Sequence, residues 1–360
     1  MRLGLFGFTS CDHLQKAAGY QFPVEKANML SVPRRASSLY IVSQTACLTQ
    51  LVQRHLSTRV KPAQQKTAKA FETIPGALLT NPRTEYRNVR VYQGKIKAVI
   101  LDWAGTVVDC GVHSPAVVFK KVFELEGVPI SNEEAREPMG MHKKVHIRTI
   151  SQMDSVRKRW KEKFGRNPNE EDVERIYANS VPMQIAVLEE YSQMITGAVE
   201  TVNLLQKEWG LKVGSTTGFT TPMLDVLKEI AAQNGYVPDC YVAADQVPQA
   251  RPYPYMVWMN AIQLDVNPIS AIVKVDDTKD GIREGTSAGC WSVGLARTGN
   301  YVALNEIEID ELNEEEYELK IAKSYETLAN AGAHYVIDSI AELPPVIEDI
   351  NRRLAAGERP

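Results

Sequence analysis

The chain has 360 residues, 44% apolar and 24% charged, which is enough to bury the core of one large domain or two ordinary ones. These proportions exclude collagen-like, disulfide-scaffold and wholly disordered chains, and no apolar run approaches the roughly 18–20 residues a bilayer crossing needs. The net charge of −3 divides unevenly: residues 1–70 carry ten Lys/Arg against two acids, whereas the other 290 hold 31 against 42. An acidic body offers no basic face to a phosphate backbone, so nucleic acid is not an expected partner. Any anionic substrate must be met by a local pocket.

In chain order the basic leader comes first. Residues 34–59 contain Arg, Ser and Leu but no acid, and Leu48, Leu51, Val52 and Leu56 can line one helix face. That is the composition of an organelle transit peptide. Arg54-His55-Leu56-Ser57 resembles a matrix processing site cut between Leu56 and Ser57. Residues 1–56 are therefore expected to be a transit peptide, mitochondrial ahead of plastid. A basic tail of other purpose, in a cytoplasmic protein, is the alternative. Residues 57–94 read as a linker, polar and Pro-bearing with weak periodicity.

Organisation begins at Lys95. The run Ile96-Lys97-Ala98-Val99-Ile100-Leu101 stops at Asp102, as a buried parallel strand stops at its carboxyl edge. The pattern recurs at 211–215 before Thr216-Thr217-Gly218, at 241–244 before Asp245, at 272–275 before Asp276-Asp277, and at 291–295. Helical stretches at 222–234, 252–263 and 281–288 separate them, which predicts an α/β fold: a Rossmann-like parallel sheet with helices on both faces. Ligands of such sheets bind outside the carboxyl ends of the strands, where Asp102, Thr216, Asp276 and Asp277 converge. Residues 111–195 interrupt the alternation with helical signals alone, at 117–125, 143–152, 155–164, 170–179 and 183–192, plus a capping box at Ser131 and Glu134. This surplus reads as an all-helical cap inserted into a core of residues 95–110 and 196–350. The five cysteines, Cys11, Cys47, Cys110, Cys240 and Cys290, form no Cys-x-x-Cys and are expected to be free thiols.

Asp102-Trp103-Ala104-Gly105-Thr106-Val107-Val108-Asp109, the inserted cap, Ser215-Thr216-Thr217-Gly218 and Asp276-Asp277-Thr278 together resemble the haloacid dehalogenase superfamily. Within it the chain resembles the phosphonoacetaldehyde hydrolases, or phosphonatases, over about residues 95–350. Pro138-Met139-Gly140 with Lys143, His146 and Arg148 matches their cap pattern, and Gln246-Val247-Pro248 with Arg251-Pro252-Tyr253-Pro254 matches a second segment. The resemblance implies P–C bond hydrolysis of a small phosphonate by a homodimer joined through the caps. It also implies Lys143, His146 and Met139 as catalytic residues, and Gly105, Thr106, Gly140, Thr216, Thr217 and Arg251 as phosphate or substrate contacts. A rival enzyme is a phosphatase or mutase of the same superfamily; a rival of another class is an idle binding homologue.

The residue chemistry agrees with that implication. A strand-end carboxylate such as Asp102 can attack phosphorus, but its charge repels a phosphoryl dianion. A divalent cation is needed between them, and Mg²⁺ suits oxygen ligands. Asp102 and Asp277 are the natural ligands, the Ala104 carbonyl is implied by the resemblance, and Asp276 ranks next. Many bacterial relatives carry Gly-Asp-Thr-x-x-Asp here; in this chain Asp280 is expected to be a solvated acid at a helix start. Thr221-Pro222 is expected to cap the helix that follows Gly218. Most phosphatases of the superfamily carry an acid where Ala104 stands, and a phosphate ester needs that acid to protonate its leaving alkoxide. A leaving carbanion needs an electron sink instead, which an imine on Lys143 supplies. Loss of the acid and gain of the lysine are one chemical change. His146 lies one helical turn on, facing the same side. Family members often carry Tyr where Phe219 stands, and some carry Cys where Val112 stands.

Overall fold

The computed structural model describes residues 91–360. The expected transit peptide with its Leu56–Ser57 cleavage point, Cys11, Cys47 and all of the linker except residues 91–94 lie outside them. Six parallel strands make one sheet in the order β3-β2-β1-β4-β5-β6. They are β1 Ala98–Leu101, β2 Lys212–Thr217, β3 Cys240–Ala243, β4 Ile272–Asp276, β5 Trp291–Leu295 and β6 Tyr335–Ile337. β6 has three residues, too few for the strand pattern to register in the sequence. The unbroken apolar run of β1 reflects a sheet covered on both faces. In β1, Val99 and Leu101 pack into one apolar layer and Ala98 and Ile100 into the other, and all four are fully buried.

Between β1 and β2 the chain leaves the sheet to build the cap. Its helices are α1 His113–Leu125, α2 Asn132–Arg136, α3 Lys143–Gln152, α4 Asp154–Phe164 and α5 Glu170–Leu188. The capping box at Ser131 and Glu134 is present, and Asn169 with Asp172 forms a second one at the start of α5. The expected break between 179 and 183 does not occur: α5 runs through Pro182. Phe123, Ile147, Ile150, Trp160, Val173 and Ile176 form a core of the cap's own, separate from the layers on the sheet. The joint between cap and sheet is strained, with Asp109 and Val112 at φ 53° and 54°. The Asp109 carboxylate stiffens it by accepting from the backbone N–H groups of His113 and Ser114, both at 2.9 Å.

After the cap, α6 Ala198–Asn203 continues as a π-helical turn, Leu204–Glu208, and α7 Thr221–Gln233, α8 Tyr255–Gln263 and α9 Lys279–Ala288 alternate with the strands. The body extends past residue 350, because α12 Leu343–Ala355 lays Leu343, Val346, Ile347, Ile350 and Leu354 on the sheet, after α10 Glu306–Glu311 and α11 Glu314–Asn330. Those five positions are one helix face, so the helix is held by its buried stripe. No helix among the described residues is long and apolar enough to cross a membrane. Cys110, Cys240 and Cys290 are free thiols.

Because the cap has its own core, a cavity there should weaken it locally. Phe123→Ala is expected to destabilise the cap by about 3–5 kcal/mol, the usual cost of truncating a buried phenyl. Urea unfolding monitored by proteolysis within residues 113–188 checks it. A change below about 1 kcal/mol would mean the cap draws its stability from elsewhere.

Candidate active site

Sheet register brings the first residues together. Leu101 is level with Ser215 on one side and Val275 on the other, so the next residues, Asp102, Thr216 and Asp276, emerge at one edge. The Asp102 N–H still bonds to the Val275 carbonyl at 3.0 Å, which fixes its height. Asp102, Asp276 and Asp277 are all buried, and one carboxylate oxygen of each lies within 4.8 Å of the others. Gly105, at φ 82°, lets the turn after β1 pass against Asp277; a Cβ there would collide with that carboxylate. Asp277 Oδ2 accepts from the Asn300 N–H at 2.8 Å, and Oδ1 is buried without a partner. Burial and the two neighbouring aspartates push the Asp277 carboxyl well above the usual carboxylate range. Burial, with Asp276 adding to it, also raises Asp102 against the pull of Arg251 and Lys274. Crowded carboxylates of this kind demand protons or a cation. An orphaned oxygen on Asp277 and a hard, all-oxygen donor set fit a divalent ion such as Mg²⁺.

Asp276 is differently occupied. Its Oδ1 accepts from the Thr278 N–H and hydroxyl at 3.0 and 2.7 Å, and its Oδ2 from Lys274 at 2.6 Å. Those bonds and Arg251 hold its carboxyl below the usual range despite burial. Asp280 departs from the expectation: it is not solvated but 1% exposed. The loop after β5 packs on the start of α9, where the Lys279 N–H donates to the Tyr301 hydroxyl at 2.9 Å. Asp280 is nevertheless outside the carboxylate cluster and pairs with Arg283 at 3.5 Å.

Arg251 reaches the same edge from the segment before α8. Its Nη2 donates to Asp102 Oδ1 at 2.6 Å and to the Thr216 carbonyl and hydroxyl at 3.1 and 2.8 Å. The Thr216 hydroxyl is therefore turned to Arg251, and Thr217 with Gly218 borders the pocket instead. Thr217 Oγ1 caps the turn by accepting from the Phe219 N–H at 3.1 Å. The helix that follows starts at Thr221 with Thr220 as its N-cap, not at Pro222 with Thr221 as cap. Thr221 is diverted because its N–H and hydroxyl both donate to Asp245. Thr106 is buried with its hydroxyl unpaired and does not border the pocket.

The cap closes the pocket from above with Val112, Pro115, Met139, Gly140 and Lys143, over Asp102, Ala104 and Arg251. The cap loop sits tightly on the core: a Cβ on Gly140 would strike Thr278, and one on Gly218 would strike the Met141 carbonyl. In α3, Lys143, His146, Ile147 and Ile150 share the buried face. Lys143 is 6% exposed, and its Nζ lies over the Phe219 ring at 4.5 Å and the Phe119 ring at 5.5 Å. Burial pushes its pKa down to about 8; Asp102 opposes this and Arg251 adds to it. Lys144 points elsewhere, to Glu174. His146 does not reach the pocket. Its Nε2 lies 2.8 Å from the Ala135 carbonyl, its ring packs on Phe119, and burial holds it well below the usual histidine range. Cys110 is also turned away, toward the Leu304 carbonyl.

Two charged residues at this edge escape sequence reasoning, Lys274 and Glu284, both wholly buried. The available signal was a lysine inside Ile272-Val273-Lys274-Val275, since lysine is almost never fully buried without a partner. A wider cleft of about 1010 Å³, between α1 and residues 300–304, holds none of the expected site residues.

Comparison with known proteins agrees with this geometry. The sequence model of the haloacid dehalogenase-like hydrolases matches residues 96–289. The chain is 46% identical over 268 residues to a phosphonoacetaldehyde hydrolase of Vibrio parahaemolyticus, covering 74% of this chain and 98% of the relative. Identity is 42% over 269 residues to that of Syntrophobacter fumaroxidans, covering 75% and 97%. The crystal structure of a phosphonoacetaldehyde hydrolase-like protein from Oleispira antarctica superposes with a TM-score of 0.75 at 39% identity, over 77% of this chain and all of that one. A β-phosphoglucomutase from Clostridium difficile, 19% identical with a TM-score of 0.53 over 72% and 99%, shares the fold. With more than half of the chain matched and near full-length relatives above 40% identity, the chain belongs to the haloacid dehalogenase-like hydrolases and, within them, to the phosphonoacetaldehyde hydrolase family.

Proposed function

We propose that the protein hydrolyses the P–C bond of phosphonoacetaldehyde to acetaldehyde and phosphate, as a Mg²⁺-dependent homodimer joined through its caps. The observation that carries this reading is that Lys143 and Asp102 line one pocket, with Ala104 also lining it where an acid would serve a phosphate ester. Its relatives' names supply the substrate.

The Lys143 amine condenses with the aldehyde and releases water, and the protonated iminium becomes the electron sink. Asp102 then attacks phosphorus; the P–C bond breaks and its electrons pass into the iminium to give an enamine. Protonation of the enamine and hydrolysis of the imine return Lys143 and release acetaldehyde. Hydrolysis of the aspartyl-phosphate returns Asp102 and releases phosphate. Arg251 offers a fixed cation to the phosphoryl oxygens. Asp102, Asp277 and the Ala104 carbonyl would hold Mg²⁺, with Asp276 behind, and the ion would shield the carboxylate from the phosphoryl charge. Met139 and Gly140 wall the pocket above the aldehyde, and His146 supports α3 from behind, its ring anchored on Ala135.

The imine is tested directly. Borohydride added with phosphonoacetaldehyde or acetaldehyde should leave a reduced adduct on Lys143 and none on Lys144, read by peptide mass spectrometry, with phosphate esters turned over poorly. Only the neutral amine condenses, so labelling should rise with pH through about 8 and level off above it. Lys143→Arg keeps the charge but cannot form an imine; near wild-type cleavage by it would end the mechanism.

For the metal, Asp277→Asn is expected to lose more than the ~10–100-fold typical of residues that merely support a ligand. Raised Mg²⁺ should recover part of that loss. Asp280→Asn, outside the cluster, should keep the wild-type Mg²⁺ requirement. Equal losses from both, in a magnesium titration, would shift the site toward Asp280.

The acid-poor leader supports import into the mitochondrion. N-terminal sequencing of protein from its native cells should begin near Ser57; a sequence beginning at Met1 would remove the transit peptide.

A further inference from the structure

Two fully buried charges have no part in the mechanism above. Lys274 stands in the middle of β4 and Glu284 in the second turn of α9, both with no exposure to solvent. Lys274 Nζ donates to Asp276 Oδ2 at 2.6 Å and to the Val275 carbonyl at 3.1 Å, and it lies 3.8 Å from Glu284 Oε2. The same Glu284 oxygen accepts from Arg251 Nε at 3.0 Å and lies 3.5 Å from the Thr216 hydroxyl. Glu284 Oε1 is buried without a partner.

A buried ion pair is weak evidence for stability, because apolar packing of equal volume serves as well or better. Its geometry here has a clearer consequence. A guanidinium is a rigid plane with donors at three nitrogens. In Arg251, Nη2 is committed to Asp102 and Thr216, and Nε to Glu284. Two pinned nitrogens fix the plane, and Nη1 is left without a hydrogen-bond partner among the described residues, on a side chain that borders the pocket. Without Glu284, Arg251 could swing about Nη2 onto the Asp102 and Asp276 carboxylates that already attract it. Those are the groups its charge must share with an incoming anion.

We propose that Glu284, braced by Lys274, is a positioning residue for phosphoryl recognition: it grips the Nε edge of Arg251 and keeps the Nη1 corner free for a phosphoryl oxygen. The proposal rests on the reading of Arg251 as the phosphoryl cation.

Glu284→Gln tests it, since it keeps the volume and an acceptor oxygen and removes the charge. Orthophosphate, titrated calorimetrically in the presence of Mg²⁺, should bind at least about tenfold more weakly, the low end for losing one charge-assisted hydrogen bond. The KM for phosphonoacetaldehyde should rise by a similar factor, with a smaller change in kcat. Glu284→Asp, which keeps the charge on a shorter arm, should recover part of the loss. Borohydride trapping of acetaldehyde on Lys143 involves no phosphoryl group and should proceed at the wild-type rate. Unchanged orthophosphate affinity in Glu284→Gln overturns the proposal. A parallel fall in Lys143 labelling and thermal midpoint also overturns it, by making Glu284 a general structural residue. If wild-type protein binds orthophosphate but leaves phosphonoacetaldehyde intact, the substrate reading fails, while the orthophosphate titration still decides the role of Glu284.

Discussion

Four carboxylates, Asp102, Asp276, Asp277 and Glu284, are buried with two basic groups, Arg251 and Lys274, at the carboxyl edge of one parallel sheet, and the rest of the site is arranged around that imbalance. Taking each charge out of water costs several kcal/mol even after relaxation, so every oxygen needs a donor or a cation. Asp276 has found its donors in Lys274 and Thr278, and one oxygen of Glu284 has found Arg251 while its other is unpaired. Asp277 Oδ1 has none. With every carboxylate ionised and both bases protonated the cluster is two positive charges short of neutrality, and of its two unfilled oxygens the one on Asp277 belongs to the three-aspartate group that a divalent cation fits.

The cap answers a different electrostatic need. On the core side, charge is concentrated; on the cap side, Lys143 shares the pocket with Met139 and Val112 and lies over two phenyl rings. Desolvation favours the neutral amine, the form that can attack an aldehyde. One pocket thus holds a strand-end carboxylate gripped by Arg251 opposite an amine whose neutral form the apolar walls favour. Closing the cap over the core is what lets both environments persist around one pocket, since bulk water between them would level the two. The close fits at Gly140 against Thr278 and Gly218 against the Met141 carbonyl leave little room for it.

Much of this was legible in the chain. Short β-branched runs ending at Asp102, Thr216 and Asp276-Asp277 announced a parallel sheet and its ligand edge, because a strand buried on both faces has no polar alternation to confuse it. The helical surplus at 111–195 announced the cap. Ala104 and Lys143 were readable as a pair because each changes what the other must do. Other residues were misplaced for identifiable reasons. Asp280 looked like a solvated helix-start acid, but it is buried at a helix start against which the loop carrying Tyr301 packs. The signals at 170–179 and 183–192 looked like two helices, yet they form one, α5, which runs on through Pro182 to Leu188. His146 shares the face of Lys143, but a face one turn long is wide enough for one residue to border the pocket and the other to sit behind it.

The sequence by itself determined the first five strands, the helices between them, the inserted cap, the strand-end carboxylates and the lysine, since each follows from local periodicity or from a short motif. Tertiary structure alone decided which oxygen each donor takes. Asp276 is spent on Lys274 while its neighbour Asp277 is left open, and Thr216 turns its hydroxyl to Arg251 instead of the pocket. Glu284, 33 residues from Arg251 in sequence, becomes its partner only when α9 packs against the sheet. Hydrogen-bond allocation depends on distances of a few tenths of an ångström between elements far apart in the chain, and no pattern within one segment encodes them.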